Sequence, residues 1–220
     1  MKEMRPYLQS TEFIDFDTPE VSAFANEKAG QSNDPVAQAT NLYYAVRDGI
    51  RYDPYTIDLT VGGLKASTTL QNGRGWCVAK AILLAACCRA KQIPARLGFA
   101  DVKNHLSTER LRQQMQTDIF YWHGYTSIYL NGEWFKATPA FNIELCDKFS
   151  LKPLEFDGKS DSIYHPFDLI GNRHMEYVNN RGEYADVPLD DIIETFKREY
   201  LPADDKWNNA DFDQDVARER

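Results

Sequence analysis

The chain is poor in the features that announce metal, nucleotide or membrane chemistry. Its cysteines, at 77, 87, 88 and 146, form no Cys-x-x-Cys pair. A disulfide across neighbouring Cys87 and Cys88 would be strained. Its histidines, at 105, 123, 165 and 174, show no His-x-x-x-His spacing. Zinc sites need such clusters, so no metal is expected. No Gly-x-Gly-x-x-Gly or Walker-type loop occurs, so no nucleotide cofactor is expected either. Basic charge is short, with 25 Lys and Arg against 33 Asp and Glu and a net charge of −8. Nucleic-acid binders carry the opposite footprint. The longest apolar run, Ala81–Cys88, has eight residues, far below the roughly 20 that span a bilayer. The polar start, MKEMRPYLQSTEF, does not read as a secretory leader. Free thiols fit a reducing compartment, so a cytoplasmic protein is the expectation.

What is present suits a folded domain. At 43% hydrophobic and 13% aromatic residues, the chain is too apolar for general disorder. A chain of 220 residues buries about 70% of its unfolded surface without disulfides or metals. Residues 1–17 read as an extended lead-in, with Phe13, Ile14 and Phe16 against the body. Thr18-Pro19 and Asp34-Pro35 read as helix starts. They predict helices over about 18–29 and 34–51, the second carrying Ala39, Leu42, Val46 and Ile50 on one face. Residues 56–75 read as irregular. The next helix, from Cys77 to about Lys91, is apolar nearly all round and therefore buried. Strands follow at 95–100, 124–130 and 133–137, the last two joined by Asn131-Gly132, a strong hairpin signal. A second hairpin is expected from 174–178 and 183–187, then a helix over 189–200. The order, helices and then an antiparallel sheet, is α+β. Residues 1–201 read as one domain, and 202–220 as a loose polar tail.

Cys77 is placed for chemistry. It opens a buried helix after Gly73-Arg74-Gly75-Trp76. A helix start favours an anion, which lowers a thiol pKa and enriches the nucleophilic thiolate. The same free N–H groups can hold an oxyanion. A thiolate wants an imidazole partner, and His123 opens the hairpin. With a two-residue turn at Asn131-Gly132, His123 lies opposite Ala140, and Thr138, Ala140 and Asn142 share its face. A group there would fix the imidazole tautomer. Trp76 is either a core anchor or a wall of a substrate groove. Cys87, Cys88 and Cys146 read as packing thiols, and His105, His165 and His174 as structural or surface residues.

At these residues the sequence resembles the transglutaminase-like superfamily, the papain-related acyl-transfer enzymes. The resemblance lies in Gly75-Trp76-Cys77, the run Arg89–Arg96, His123, Trp134 and Lys136-Ala137-Thr138-Pro139, with Leu42–Tyr52 upstream. It covers about residues 34–142, the core of the expected domain, and leaves 143–201 as an extension. It implies a buried Cys-bearing helix on an antiparallel sheet, with Cys77 as nucleophile and His123 as base. The family's third member is an Asp before proline. This chain has Thr138 there, so Thr138, or Asn142 in the papain manner, or an Asp from elsewhere such as Asp147 or Asp157, would orient His123. Gln71, six residues before Cys77, matches the papain-like oxyanion glutamine in offset. The implied activity is acyl transfer on a peptide or protein amide through a thioester, with hydrolysis favoured over transamidation. The alternatives are a catalytically inactive protein-binding module on the same fold, given Thr138, and acyl transfer from a small thioester donor.

Overall fold

The computed structural model describes residues 2–104, 107–164, 167–200 and 210–219. A 3-10 helix, Lys2–Tyr7, leads into helices α1 (Pro19–Lys28) and α2 (Pro35–Gly49). The Asp34 carboxylate caps α2 by accepting from the Val36 N–H at 3.2 Å. Thr18 stands before α1, but its hydroxyl turns back to the Asp15 carbonyl, 2.8 Å. The stretch expected to be irregular is partly helical. It holds a 3-10 turn, Pro54–Thr56, and short helices α3 (Val61–Leu64) and α4 (Ala66–Asn72) between strands β1 (Arg51–Tyr52) and β2 (Arg74–Gly75). Local caps account for this: the Asp53 and Thr60 side chains accept from Tyr55 N–H and Gly63 N–H. Gly73 closes α4 in the left-handed region, φ 63°, where a glycine carries no penalty.

Helix α5 (Cys77–Ala90) is the hub. Every residue from Cys77 to Arg89 is buried, as its all-round apolar character requires. Two charged members are held by carbonyls. Lys80 Nζ donates to Arg47, Ile50 and Ala140, and Arg89 donates to Gln9, Ala95 and Ala185. Lys80 thereby ties the end of α2 and the 140 loop to α5. The remaining elements are β3 (Ala95–Asn104), α6 (Glu109–Met115), β4 (Ile119–Leu130), β5 (Glu133–Ala137), α7 (Ile143–Lys148), β6 (Met175–Tyr184), α8 (Leu189–Glu199) and α9 (Phe212–Glu219). The four longer strands form one antiparallel sheet in the order β5-β4-β3-β6. The fold is α+β, with the sheet laid against α5.

The hairpin turn is as read. Asn131 and Gly132 both have positive φ and Leu130 pairs with Glu133. The expected ladder to Ala140 is not completed: pairing ends at Thr126–Ala137, and Thr138 N–H turns to the Ser162 carbonyl. The second expected hairpin is one strand, β6, running the length of β3. Its Asn-Asn-Arg-Gly segment supplies bulges rather than a reversal, with register shifts opposite Phe99–Val102 and Gly182 at φ 95°. The tail also differs from expectation. Residues 202–209 lie outside the described residues, but α9 has something to bury: Phe212 is packed against Tyr52 and Tyr55, and Val216 is buried too. Among the described residues, no helix is long and apolar enough to cross a membrane.

Candidate active site

Two local devices bring the cysteine and the histidine to one place. The parallel pairing of β1 with β2 sets Tyr52 beside Gly75 and so positions Trp76-Cys77 at the start of α5. On the other side, β4 runs close over that start. A side chain at Gly124 would put its Cβ 2.9 Å from Val78 Cα, so only glycine permits the approach. His123 precedes that glycine, and both Cys77 and His123 line a single cavity of about 40 Å³.

The direction of His123 is fixed by a break in the sheet. Its neighbour Trp122 is left-handed, φ 59°, and the β3–β4 register slips between Ala100 and Val102. Asp101 sits at that slip, 4% exposed. Its carboxylate accepts from Trp122 N–H (3.2 Å), Arg181 Nε (2.7 Å) and Asn179 Nδ2 (3.2 Å). The same carboxylate therefore ties the bulges of β4 and β6 together, one residue from His123. Sequence reading missed Asp101, since nothing in Gly-Phe-Ala-Asp-Val marks a bulge.

Burial governs the chemistry of the pair. Cys77 is 7% exposed and His123 4%. The Cys77 thiol is pushed up to about 11 by burial, although the backbone N–H groups of Gly124, Val78 and Cys77 itself pull the other way. The helix start does favour the thiolate, as expected, but desolvation outweighs it. His123 is lowered to about 4, first by burial and then by the neighbouring His174. The two groups therefore rest as neutral thiol and neutral imidazole, not with the thiolate that the helix start alone would enrich.

The other sequence candidates fall in different places. Trp76 lines the cavity beside Phe196 of α8, ring centres 6.0 Å apart. Thr138 is buried, and its hydroxyl lies by that of Tyr177 without a well-formed hydrogen bond. His123 Nε2 is likewise buried with no partner, so no Thr138–His123 bond is made. Asn142 is engaged elsewhere: its Oδ1 accepts from Tyr52 N–H at 3.1 Å and its Nδ2 donates to Glu144. Its papain-like orienting role is not seen, because the amide is used to hold β1. Gln71 is exposed on α4 and is not among the residues lining the cavity. His174 is buried beside Tyr164 and Phe141. His105 and His165 lie outside the described residues. Cys87, Cys88 and Cys146 are buried free thiols, and burial pushes Cys88 and Cys146 up to about 12.

The cavity is closed from above by α8. Trp122 Nε1 donates to Thr195 Oγ1 at 2.9 Å, and the Tyr200 hydroxyl accepts from Tyr121 N–H and donates to the Ile119 carbonyl. Phe196 and Tyr200 are thereby held against the mouth. Sequence reading placed this helix but not its role, because the pairing partner lies 73 residues away in the chain.

A family model described as the transglutaminase-like superfamily matches residues 22–139. Among solved structures the chain is similar to a putative cysteine protease from Cytophaga hutchinsonii, at 17% identity and a TM-score of 0.48, over 64% of this chain and 43% of that one. It is also similar to a putative protease from Parabacteroides distasonis ATCC 8503, at 15% identity and a TM-score of 0.40, over 62% of this chain and 25% of that one. The chain thus spans less than half the length of either structure. No curated protein matches it.

Proposed function

The chain belongs to the transglutaminase-like superfamily, and on that premise we propose that it is a cysteine-dependent acyl-transfer enzyme acting on amide or peptide bonds. The observation that carries this reading is the meeting of Cys77, the first residue of a buried helix, and His123 in one cavity. A buried thiol placed only for packing has no need of that arrangement.

The chemistry follows from the neutral resting pair. The Cys77 proton passes to His123 as Sγ attacks the carbonyl carbon. The backbone N–H of Cys77 faces the developing oxyanion. Collapse breaks the C–N bond, and the imidazolium gives its proton to the leaving amine. A thioester on Cys77 remains. Water then attacks, its proton passes to His123, the C–S bond breaks, and the proton returns to sulfur with release of the acid. An amine in place of water gives transamidation; the reading favours water. Moving the proton during attack, rather than before it, suits a site too dry to hold separated charges beforehand.

A second reading, a binding module without catalysis, is favoured by the Thr138 and His123 geometry: neither buried group orients the other. The deciding experiment offers the protein a p-nitrophenyl ester of a neutral acyl group and looks for the acyl mass on Cys77 in acid-quenched digests. Acylation of Cys77 that vanishes in Cys77→Ala and falls at least about 100-fold in His123→Ala supports the enzyme, since a general base contributes on that order. Acylation unaffected by His123→Ala, or none, supports the binding module.

A further inference from the structure

The walls of the Cys77 cavity carry no Asp, Glu, Lys or Arg among the described residues. Besides the reacting pair, apolar side chains such as Trp76, Leu111, Phe120, Met175 and Phe196 make up most of them, from five separate segments, and the polar members, Asn104, Tyr52, Tyr121 and Tyr200, are uncharged. Several charged side chains near the cavity in the chain are held in ion pairs. Arg110 meets Asp215 at 2.7 Å, Lys103 meets Asp118 at 2.6 Å, Asp101 meets Arg181 at 2.7 Å, and Glu199 meets Arg198 at 2.7 Å. The Tyr200 hydroxyl, which could have greeted a polar ligand, is already used by Tyr121 N–H and the Ile119 carbonyl. A charged group entering this cavity would lose its water and find no counter-charge. An aromatic or aliphatic one would exchange water for a wall of its own kind.

From this we infer that the site takes an uncharged, apolar acyl group, with an aromatic or branched aliphatic side chain next to the reacting carbonyl, and excludes acidic and basic side chains there. This rests on the reading of Cys77 as the acyl acceptor. The specificity-determining residues are Leu111, Phe120 and Phe196, which form the wall without belonging to the reacting pair. The cavity of about 40 Å³ holds only a few waters as it stands, so the acyl side chain enters by displacing Phe196 on α8, the element that closes the mouth.

The test uses the full chain and four alkylating reagents of one chemistry: iodoacetamide, N-benzyl iodoacetamide, iodoacetate, and a trimethylammonium-ethyl iodoacetamide. Labelling of Cys77 is followed by mass spectrometry at pH 8.5, and each rate is divided by the same reagent's rate with glutathione. The expected order places the benzyl reagent about 10- to 100-fold above both charged reagents, the range that burying one ring supplies. Phe196→Ala should cut the benzyl advantage several-fold, whatever it does to overall access. Charged reagents that label Cys77 as readily as the benzyl one overturn the inference, and so does a Cys77 that none of the four reaches. Because alkylation needs no turnover, the outcome is separate from the acylation experiment: the reagent order can hold where no thioester forms, and a thioester can form where the order fails.

Discussion

The ionisation of the Cys77–His123 pair gives the sharpest prediction. With the thiol at about 11 and the imidazole at about 4, moving the proton from sulfur to nitrogen in the empty site runs against a gap of about seven pH units. At about 1.4 kcal/mol per unit, that is roughly 10 kcal/mol before the attraction between the new charges, about 4 kcal/mol for a close pair at an effective dielectric near 20, is set against it, so the neutral pair is the dominant resting form. The assay is the pH dependence of Cys77 alkylation by iodoacetamide, read site by site, with Cys87, Cys88 and Cys146 as internal references. The rate at Cys77 should keep rising through pH 9 without a plateau near neutrality. His123→Ala should leave that profile nearly unchanged, since a neutral imidazole lends no charge to the thiolate. Cys77 should still lead the other thiols, because it is partly reached by solvent and its thiol is raised less than Cys88 or Cys146. A plateau below pH 7 that disappears in His123→Ala would refute the reasoning: it would mean that a thiolate–imidazolium pair preforms and that the helix start outweighs burial after all.

Two substitutions test the frame that holds the pair. Lys80→Met removes the donor shared by the Arg47, Ile50 and Ala140 carbonyls; three buried acceptors left bare should cost roughly 3–4 kcal/mol in chemical denaturation, and a loss below about 1 kcal/mol would show that water takes the place of the ammonium. Asp101→Ala removes the acceptor at Trp122 N–H and the partner of Arg181, and should shift the His123 imidazole resonances in the folded protein while leaving those of His174 in place. A fall in melting temperature with His123 unmoved would reduce Asp101 to a stabilising residue without a positioning role.

What could be read from the chain beforehand was local or patterned. The all-round apolar run from Cys77, the Asn131-Gly132 turn and the Asp34-Pro35 start each act over a few residues, and each is found where its local physics puts it. The β6 segment shows the opposite case. Asn179-Asn180-Arg181-Gly182 has the composition of a turn, and alone it would be one. In the fold, Asp101 on the neighbouring strand takes up Asn179 and Arg181, so a contact some 80 residues distant converts a turn into a bulge. The α9 tail follows the same logic: its polar composition hides Phe212, whose pocket between Tyr52 and Tyr55 exists only once β1 is in place.

The thiol pKa shows why site chemistry is less legible than fold. The sequence locates Cys77 at a helix start, and the backbone N–H groups of Cys77 and Val78 there, with that of Gly124 on β4, do pull the thiol pKa down. Helix-end effects are worth about 0.3–1 kcal/mol, and up to about 2 in partly buried settings. Burial of a thiolate in an apolar wall is a larger effect of opposite sign, and its size depends on what covers the site. That cover is α8, held by Thr195 and Tyr200, more than a hundred residues after the cysteine. Displacing Phe196 and Tyr200 would let water reach Sγ and remove the desolvation while leaving the start of α5 in place. The same motion that admits an acyl group therefore moves the thiol toward the reactive range, so access and activation are coupled through one helix.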